Sequence, residues 1–240
     1  MNELALFAGA GGGILGGKLL GWRTVCAVEW EPYPASVLCA RQNDGLLPPF
    51  PIWDDVQTFD GKPWRGIVDV VSGGFPCQDI SAAGKGDGLE GERSGMWRHM
   101  ARVVSEVRPR FVFVENSPML TTRGGTRVIG DLTALGYDCR WTVMGASDVG
   151  ANHQRDRMWI VAKQRNLYNT NSTQRQGNQC TERIKQKYPN FGSSSWWETE
   201  PNVGRVVDDV PARMDRLKAI GNGQVPLCAA TAWRILSDKI

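Results

Sequence analysis

Leu4-Ala5-Leu6-Phe7-Ala8-Gly9-Ala10-Gly11-Gly12-Gly13 is a short apolar run that ends in a Gly-rich turn, and Ile14 to Leu20 follows with helical spacing before Gly21 stops it. The order is strand, turn, helix. Thr24 to Val28 reads as a second strand ending in Glu29, and Tyr33 to Arg41 as a second helix opened by Pro32 and Pro34. Further strands are expected at 68 to 71, 111 to 114, 139 to 144 and 157 to 161, with helices near 95 to 107 and 125 to 135. Alternation of this kind predicts an α/β fold, a doubly wound and mostly parallel sheet. At the C-terminal end, helical periodicity at Ala212 to Ile220 is followed by a Gly221-Asn222-Gly223 turn and a closing helix from Pro226 to Ser237.

The pattern fails between Lys163 and Gly204, which is rich in Asn, Gln, Ser and Thr and interleaves Lys163, Arg165, Arg175, Arg183, Lys185 and Lys187 with Tyr168, Tyr188, Phe191, Trp196 and Trp197. Residues 163–204 therefore read as a small irregular insert. Residues 1–162 form the expected catalytic and cofactor-binding domain, and 205–240 return to complete it. Basic side chains suit phosphates, and aromatics or amides suit bases, so the insert is either a nucleic-acid contact surface or a plain surface loop.

With 240 residues, 41% of them hydrophobic, the chain can bury roughly 70% of its unfolded surface in one α/β core. No apolar stretch approaches the roughly 20 residues that span a bilayer, and Met1-Asn2-Glu3 does not open a signal peptide. An intracellular protein without membrane contact is expected. The six cysteines, at 26, 39, 77, 139, 180 and 228, show no spacing for zinc or for a disulfide framework, so reduced thiols and no metal are expected. The net charge of +3 hides an asymmetry: residues 1–150 carry 14 Lys/Arg against 17 Asp/Glu, and 151–240 carry 14 against 8. The C-terminal part is suited to a polyanion or is simply a solvated basic surface.

A Gly-rich turn between strand and helix, followed by an acid at the end of the second strand, is how α/β folds hold an adenosine-containing cofactor. The glycines admit the ligand to the backbone, and Glu29 can accept from ribose hydroxyls. The spacing of Gly9, Gly11, Gly12 and Gly13 is more compact than the dinucleotide fingerprint, and no basic residue stands in the turn for pyrophosphate. S-adenosylmethionine fits at least as well as a dinucleotide. Trp30 is placed either to stack on adenine or to pack in the core, and Asp55-Val56 to read the adenine edge.

Gly73-Gly74-Phe75-Pro76-Cys77-Gln78 follows the apolar Val68-Asp69-Val70-Val71, which puts a thiol on a Gly/Pro-shaped loop at a strand end, where Gly73 and Gly74 allow a sharp turn. Glu115-Asn116 ends a second strand, and Arg155-Asp156-Arg157 enters a third, with the two arginines expected on one face. In a parallel sheet such strand ends share a rim. The series Phe7-Ala8-Gly9-Ala10-Gly11-Gly12, Glu29, Pro76-Cys77-Gln78, Glu115-Asn116, Arg155-x-Arg157 and Gly221-Asn222 resembles the cytosine-C5 DNA methyltransferases, in order and over nearly the whole chain except the insert.

That resemblance implies the S-adenosylmethionine-dependent methyltransferase fold. Cys77 is then the nucleophile, with Glu115 and Arg157 holding the base and Arg155 supporting them. Phe7, Ala8, Gly9, Gly11, Gly12, Glu29, Trp30, Asp55, Val56, Pro76 and Asn222 would form the cofactor site. Gln78, Ser81, Lys85, Arg93, Lys163, Arg165, Arg183 and Lys185 would contact double-stranded DNA, and Ser81 to Gly95 would close over the target. A monomer in the cytoplasm of a bacterial or phage-infected cell is expected. The chain departs from the family at Ser117, where Glu-Asn-Val is usual, and at Asn152-His153, where Pro-Gln is usual; its insert is also short for a target-recognition region. Competing readings are a tRNA cytosine-C5 methyltransferase, a catalytically silent DNA-binding relative, and a nicotinamide-dependent oxidoreductase that would account for the first turn alone.

Overall fold

A computed structural model of the chain describes residues 1–76, 95–165, 213–238 and 240. Its seven strands are β1 (Asn2–Leu6), β2 (Arg23–Val28), β3 (Ile52–Trp53), β4 (Val70–Gly73), β5 (Phe111–Asn116), β6 (Tyr137–Met144) and β7 (Arg157–Gln164). They form one sheet in the order β3-β2-β1-β4-β5-β7-β6. All neighbours from β3 to β5 are parallel, while β7 runs antiparallel between β5 and β6. The expected doubly wound, mostly parallel sheet is present.

Alternation along the strands builds the two helical layers. Leu4, Leu6, Val71, Val112, Val114 and Ile160 turn to one face, where Met100, Val103, Val104 and Val107 of α3 (Met96–Val107) and Val128 and Leu132 of α4 (Gly125–Ala134) cover them. Val70, Phe113, Trp159 and Val161 turn to the other, against Cys228, Ala229, Ala232 and Trp233 of α6 (Pro226–Ser237). On that second face Ala5 and Ala27 pack with Ile14 of α1 (Gly12–Leu19) and Leu38 of α2 (Pro32–Asn43). Helix α6 lies close against α1: a Cβ at Gly16 would stand 2.8 Å from Ala229 Cβ. The Trp233 ring packs edge-on to Trp22 at 4.6 Å.

Several element boundaries move. The fourth strand starts at Val70 because Val68 N still bonds to Trp64 O and belongs to the preceding turn. Lys163, read as the first residue of the insert, instead pairs with Phe111 and Asp138 inside β7, and Nζ donates to Ile240 O at 3.0 Å. Polarity marked it as loop, yet the ladder uses only its backbone. The penultimate helix, α5 (Arg213–Asn222), also runs past its expected stop, because Gly223 N still bonds to Ala219 O at 2.9 Å. Among the described residues no helix is long and apolar enough to cross a membrane, and no group of three or more His, Cys, Asp or Glu is placed to hold a metal ion.

Candidate active site

Parallel pairing brings the carboxyl ends of four strands to one rim: Leu6 pairs with Val28 and Gly73, and Gly73 with Val114. Phe7, Glu29, Gly74 and Glu115 follow directly at that rim. Because β7 is antiparallel to β5, its first residue starts there too. Glu115 faces Trp159, and Arg157 lies two residues away on the same side of β7, the diagonal position within reach of a long side chain. Arg157 Nε is 2.9 Å from Glu115 Oε1.

Glu115 is 9% exposed. Burial pushes its pKa up, opposed by the charges of Arg157 and Arg155 and by hydrogen bonds from Gln224 and Arg157. The carboxyl is therefore held between an acid that keeps its proton and a paired carboxylate. Asn116 Nδ2 donates to Phe75 O at 3.0 Å and ties the end of β5 to the loop that leads to Cys77.

The expected partnership of Arg155 with Arg157 takes a different form. Arg155 has φ 46, so the chain turns before β7 begins and the two arginines do not share a strand face. Its Nη2 instead donates to Gly221 O at 2.6 Å and to Gly223 O at 2.5 Å, clamping the connection between α5 and α6.

At the Gly-rich turn, Glu29 is 8% exposed, and burial raises its pKa. Gly9 N donates to Glu29 Oε2 at 2.7 Å and Glu31 N to Oε1 at 2.8 Å. A carboxylate has about four acceptor sites, so each oxygen retains capacity for a further hydroxyl. Beside it the Trp30 ring is 69% exposed, which excludes the core-packing alternative, and a Cβ at Gly9 would meet nothing within 4 Å. The donor set fits an adenosine carrying ribose hydroxyls. Phe7, at φ 52, is half-buried against the core, and Ala8 N bonds to Val28 O. Asp55 Oδ1 accepts from Gln57 N, while the Val56 side chain is buried and its carbonyl accepts from Arg102 Nη2 at 2.7 Å.

Asn222, assigned to the cofactor by resemblance, is exposed at the end of α5, and two residues later Gln224 packs against the Gly-rich turn. A Cβ at Gly12 would collide with Gln224 O, one at Gly13 would stand 2.6 Å from Gln224 Oε1, and one at Gly74 3.0 Å from Gln224 Nε2. That nitrogen also donates to Glu115 Oε2 at 3.4 Å. Sequence reading missed Gln224; its one signal is its place between Gly223 and the Pro226 that opens α6.

Pro76 is half-buried and ends its described segment. Cys77, Gln78, Ser81, Lys85, Arg93, Arg183 and Lys185 lie outside the described residues, as do all of the expected closing segment except Gly95 and all of the insert after Arg165. Arg165 is exposed, with Nε 2.8 Å from Asp138 Oδ1.

The family model for C-5 cytosine-specific DNA methylases matches residues 1–221. The chain belongs to this family. The Type II methyltransferase M.CviJI of Paramecium bursaria Chlorella virus IL3A is 33% identical over 67% of this chain and 42% of its own length. M.PspPI, a Type II methyltransferase of Psychrobacter sp., is 34% identical over 68% and 39%. The chain thus spans about two fifths of these relatives. A methyltransferase of Entamoeba histolytica shares the fold with TM-score 0.57 at 15% identity, over 74% of this chain and 57% of its own. In this member of the C-5 cytosine DNA methylase family, the matched region takes in Phe7, Glu29, Gly74, Glu115 and Arg157, whereas Asn222 and Gln224 lie one and three residues beyond the match.

Proposed function

We propose that the chain methylates carbon 5 of cytosine in double-stranded DNA, with S-adenosylmethionine as the methyl donor. The observation that carries this reading is the pair of buried Glu115 and half-buried Arg157 on the rim beside the Gly-rich turn, in a chain of the C-5 cytosine DNA methylase family. Glu29 would take the ribose hydroxyls and Trp30 the adenine, with Phe7 and Asp55 alongside. Bound there, the cofactor supplies an electrophilic methyl group.

Carbon 5 of cytosine is a poor nucleophile, and the protein's task is to make it a better one. Cys77, directly after Pro76, adds as a thiolate to carbon 6; ring N3 takes a proton from Glu115, and the displaced electron pair makes carbon 5 electron-rich. A free thiol of pKa about 8.5 is only a few per cent ionised at neutral pH, so the loop must favour the thiolate. Burial that raises the Glu115 pKa keeps the needed proton available, and Arg157 offsets the carboxylate left behind. Once carbon 5 is methylated, a base takes its proton, the Cys77 thiolate departs, and N3 returns its proton to the Glu115 carboxylate, which restores the neutral aromatic ring. The base must leave the stack for this, at a cost of roughly a few kcal/mol. The relatives carry the name Type II methyltransferase, which supports a place in restriction-modification.

Cys77→Ser tests the reading with labelled cofactor and duplex DNA. Methyl transfer is expected to vanish while calorimetric affinity for S-adenosylmethionine changes by less than about threefold. Full turnover by that variant sinks the mechanism, and transfer to tRNA but not to duplex DNA moves the activity to RNA.

A further inference from the structure

The proposed chemistry gives no task to Gln224, yet this side chain touches both halves of the site. Its Oε1 closes against Gly13 and the backbone carbonyl of the same residue against Gly12, both in the Gly-rich turn. Its Nε2 reaches Glu115 Oε2 at 3.4 Å, while Arg157 Nε holds the other oxygen at 2.9 Å. The segment that carries it is pinned from both sides. Arg155 binds the carbonyls of Gly221 and Gly223, and α6 begins at Pro226 and is anchored by Trp233 against Trp22 and Phe113. Gly74 leaves the space in which the carboxyl and the amide meet, since a Cβ there would stand 2.5 Å from Glu115 Oε2. A carboxyl gripped through one oxygen still rotates about its last, broad torsion; gripped through both, it keeps one plane.

We propose that Gln224 is a positioning residue: it holds Glu115 Oε2 opposite Arg157 from a seat on the Gly-rich turn, so that cofactor turn and catalytic acid keep one register. The proposal rests on Glu115 acting as the acid in the reaction above. An amide donor also favours the ionised carboxyl. Losing it leaves burial less opposed, and the proton is held more tightly.

The test uses the full chain with carboxyl-labelled glutamate. The Glu115 signal, assigned through Glu115→Gln, is titrated by carbon NMR, which requires no turnover. In Gln224→Met the titration midpoint is expected to rise by about half a pH unit or more. On duplex DNA kcat should fall by about tenfold, while KM for DNA and Kd for S-adenosylmethionine stay within about threefold. Gln224→Glu keeps the size of the side chain but places a second carboxyl at the site, so the midpoint should rise further. It carries the same test if the methionine variant fails to fold. An unmoved Glu115 titration in either folded variant overturns the proposal, as does a defect confined to cofactor affinity. Wild-type protein without methyl transfer would defeat the proposed reaction, and the titration would still decide the link between Gln224 and Glu115.

Discussion

Replacing Glu3 by Gln should make the protein more stable above neutral pH, by an amount the structure sets. Glu3 lies on β1 and is 1% exposed; Ser72 Oγ donates to one oxygen at 2.7 Å and Thr24 Oγ1 to the other at 2.8 Å. Among the described residues no cation pairs with it. Burial is the largest influence and lifts the pKa from 4.5 to about 7. Because the folded value exceeds the unfolded one, the protonated carboxyl supports the fold: its contribution is whole below 4.5 and is lost as pH rises through about 7. At about 1.4 kcal/mol per pH unit, about 2 kcal/mol of stability is lost by pH 6, where the folded carboxyl still holds its proton and the unfolded one does not, and about 3 kcal/mol by pH 8.5, where both are ionised.

Gln keeps the size and an acceptor, and offers one hydroxyl a donor in exchange, a rearrangement worth about 1 kcal/mol. The net gain near pH 8.5 is then about 2 kcal/mol, or a Tm rise of about 4–8 °C for a chain of this size. Urea denaturation of both proteins across this range is the assay. The difference between them should widen with pH, and since every other titrating group is common to both, it isolates Glu3. Parallel pH profiles would refute the argument that a carboxyl without a cation partner lies buried on β1.

Gly74→Ala places a methyl group 2.5 Å from Glu115 Oε2 and 3.0 Å from Gln224 Nε2. Overpacking of about 1–3 kcal/mol and a fall in methyl transfer of about a hundredfold are expected, with cofactor affinity measured by calorimetry much less affected; activity within about threefold of wild type contradicts this. Trp233→Ala removes a ring packed on Trp22, Phe111 and Phe113 at 4.6, 5.2 and 5.5 Å. Thermal or urea unfolding should register a loss of about 3–5 kcal/mol, and a change below about 1 kcal/mol would mean that α6 is not held through this ring.

Much of the fold was legible because apolar runs and Gly or Pro punctuation map directly onto elements; the closing helix occurs at Pro226–Ser237 as expected. The antiparallel course of β7 was not, since an apolar run such as Met158 to Ala162 reads alike in either direction and its pairing depends on partners distant in sequence. The Glu115 and Arg157 pair was expected from the family resemblance, whereas the rim argument alone reaches only Glu115, because Arg157 opens its strand and arrives at the rim through the antiparallel course of β7. Arg155 parted from it through a backbone conformation that an arginine does not advertise.

The glycines mark the deeper difference between reading a sequence and seeing a site. Gly73 and Gly74 read as the means of a sharp turn, but neither has positive φ, and Gly73 is the last residue of β4. They are glycines for want of room, Gly73 against Leu6 O at 2.8 Å and Gly74 against Glu115 and Gln224. Gly12 and Gly13 likewise yield space to Gln224, whereas Gly9 and Gly11, with φ 55 and 90, do need the left-handed region. Local sequence can announce a glycine required by its own torsions. It cannot announce one required by backbone or side-chain atoms more than a hundred residues away, which is why Gln224 and the glycines that make room for it become visible together.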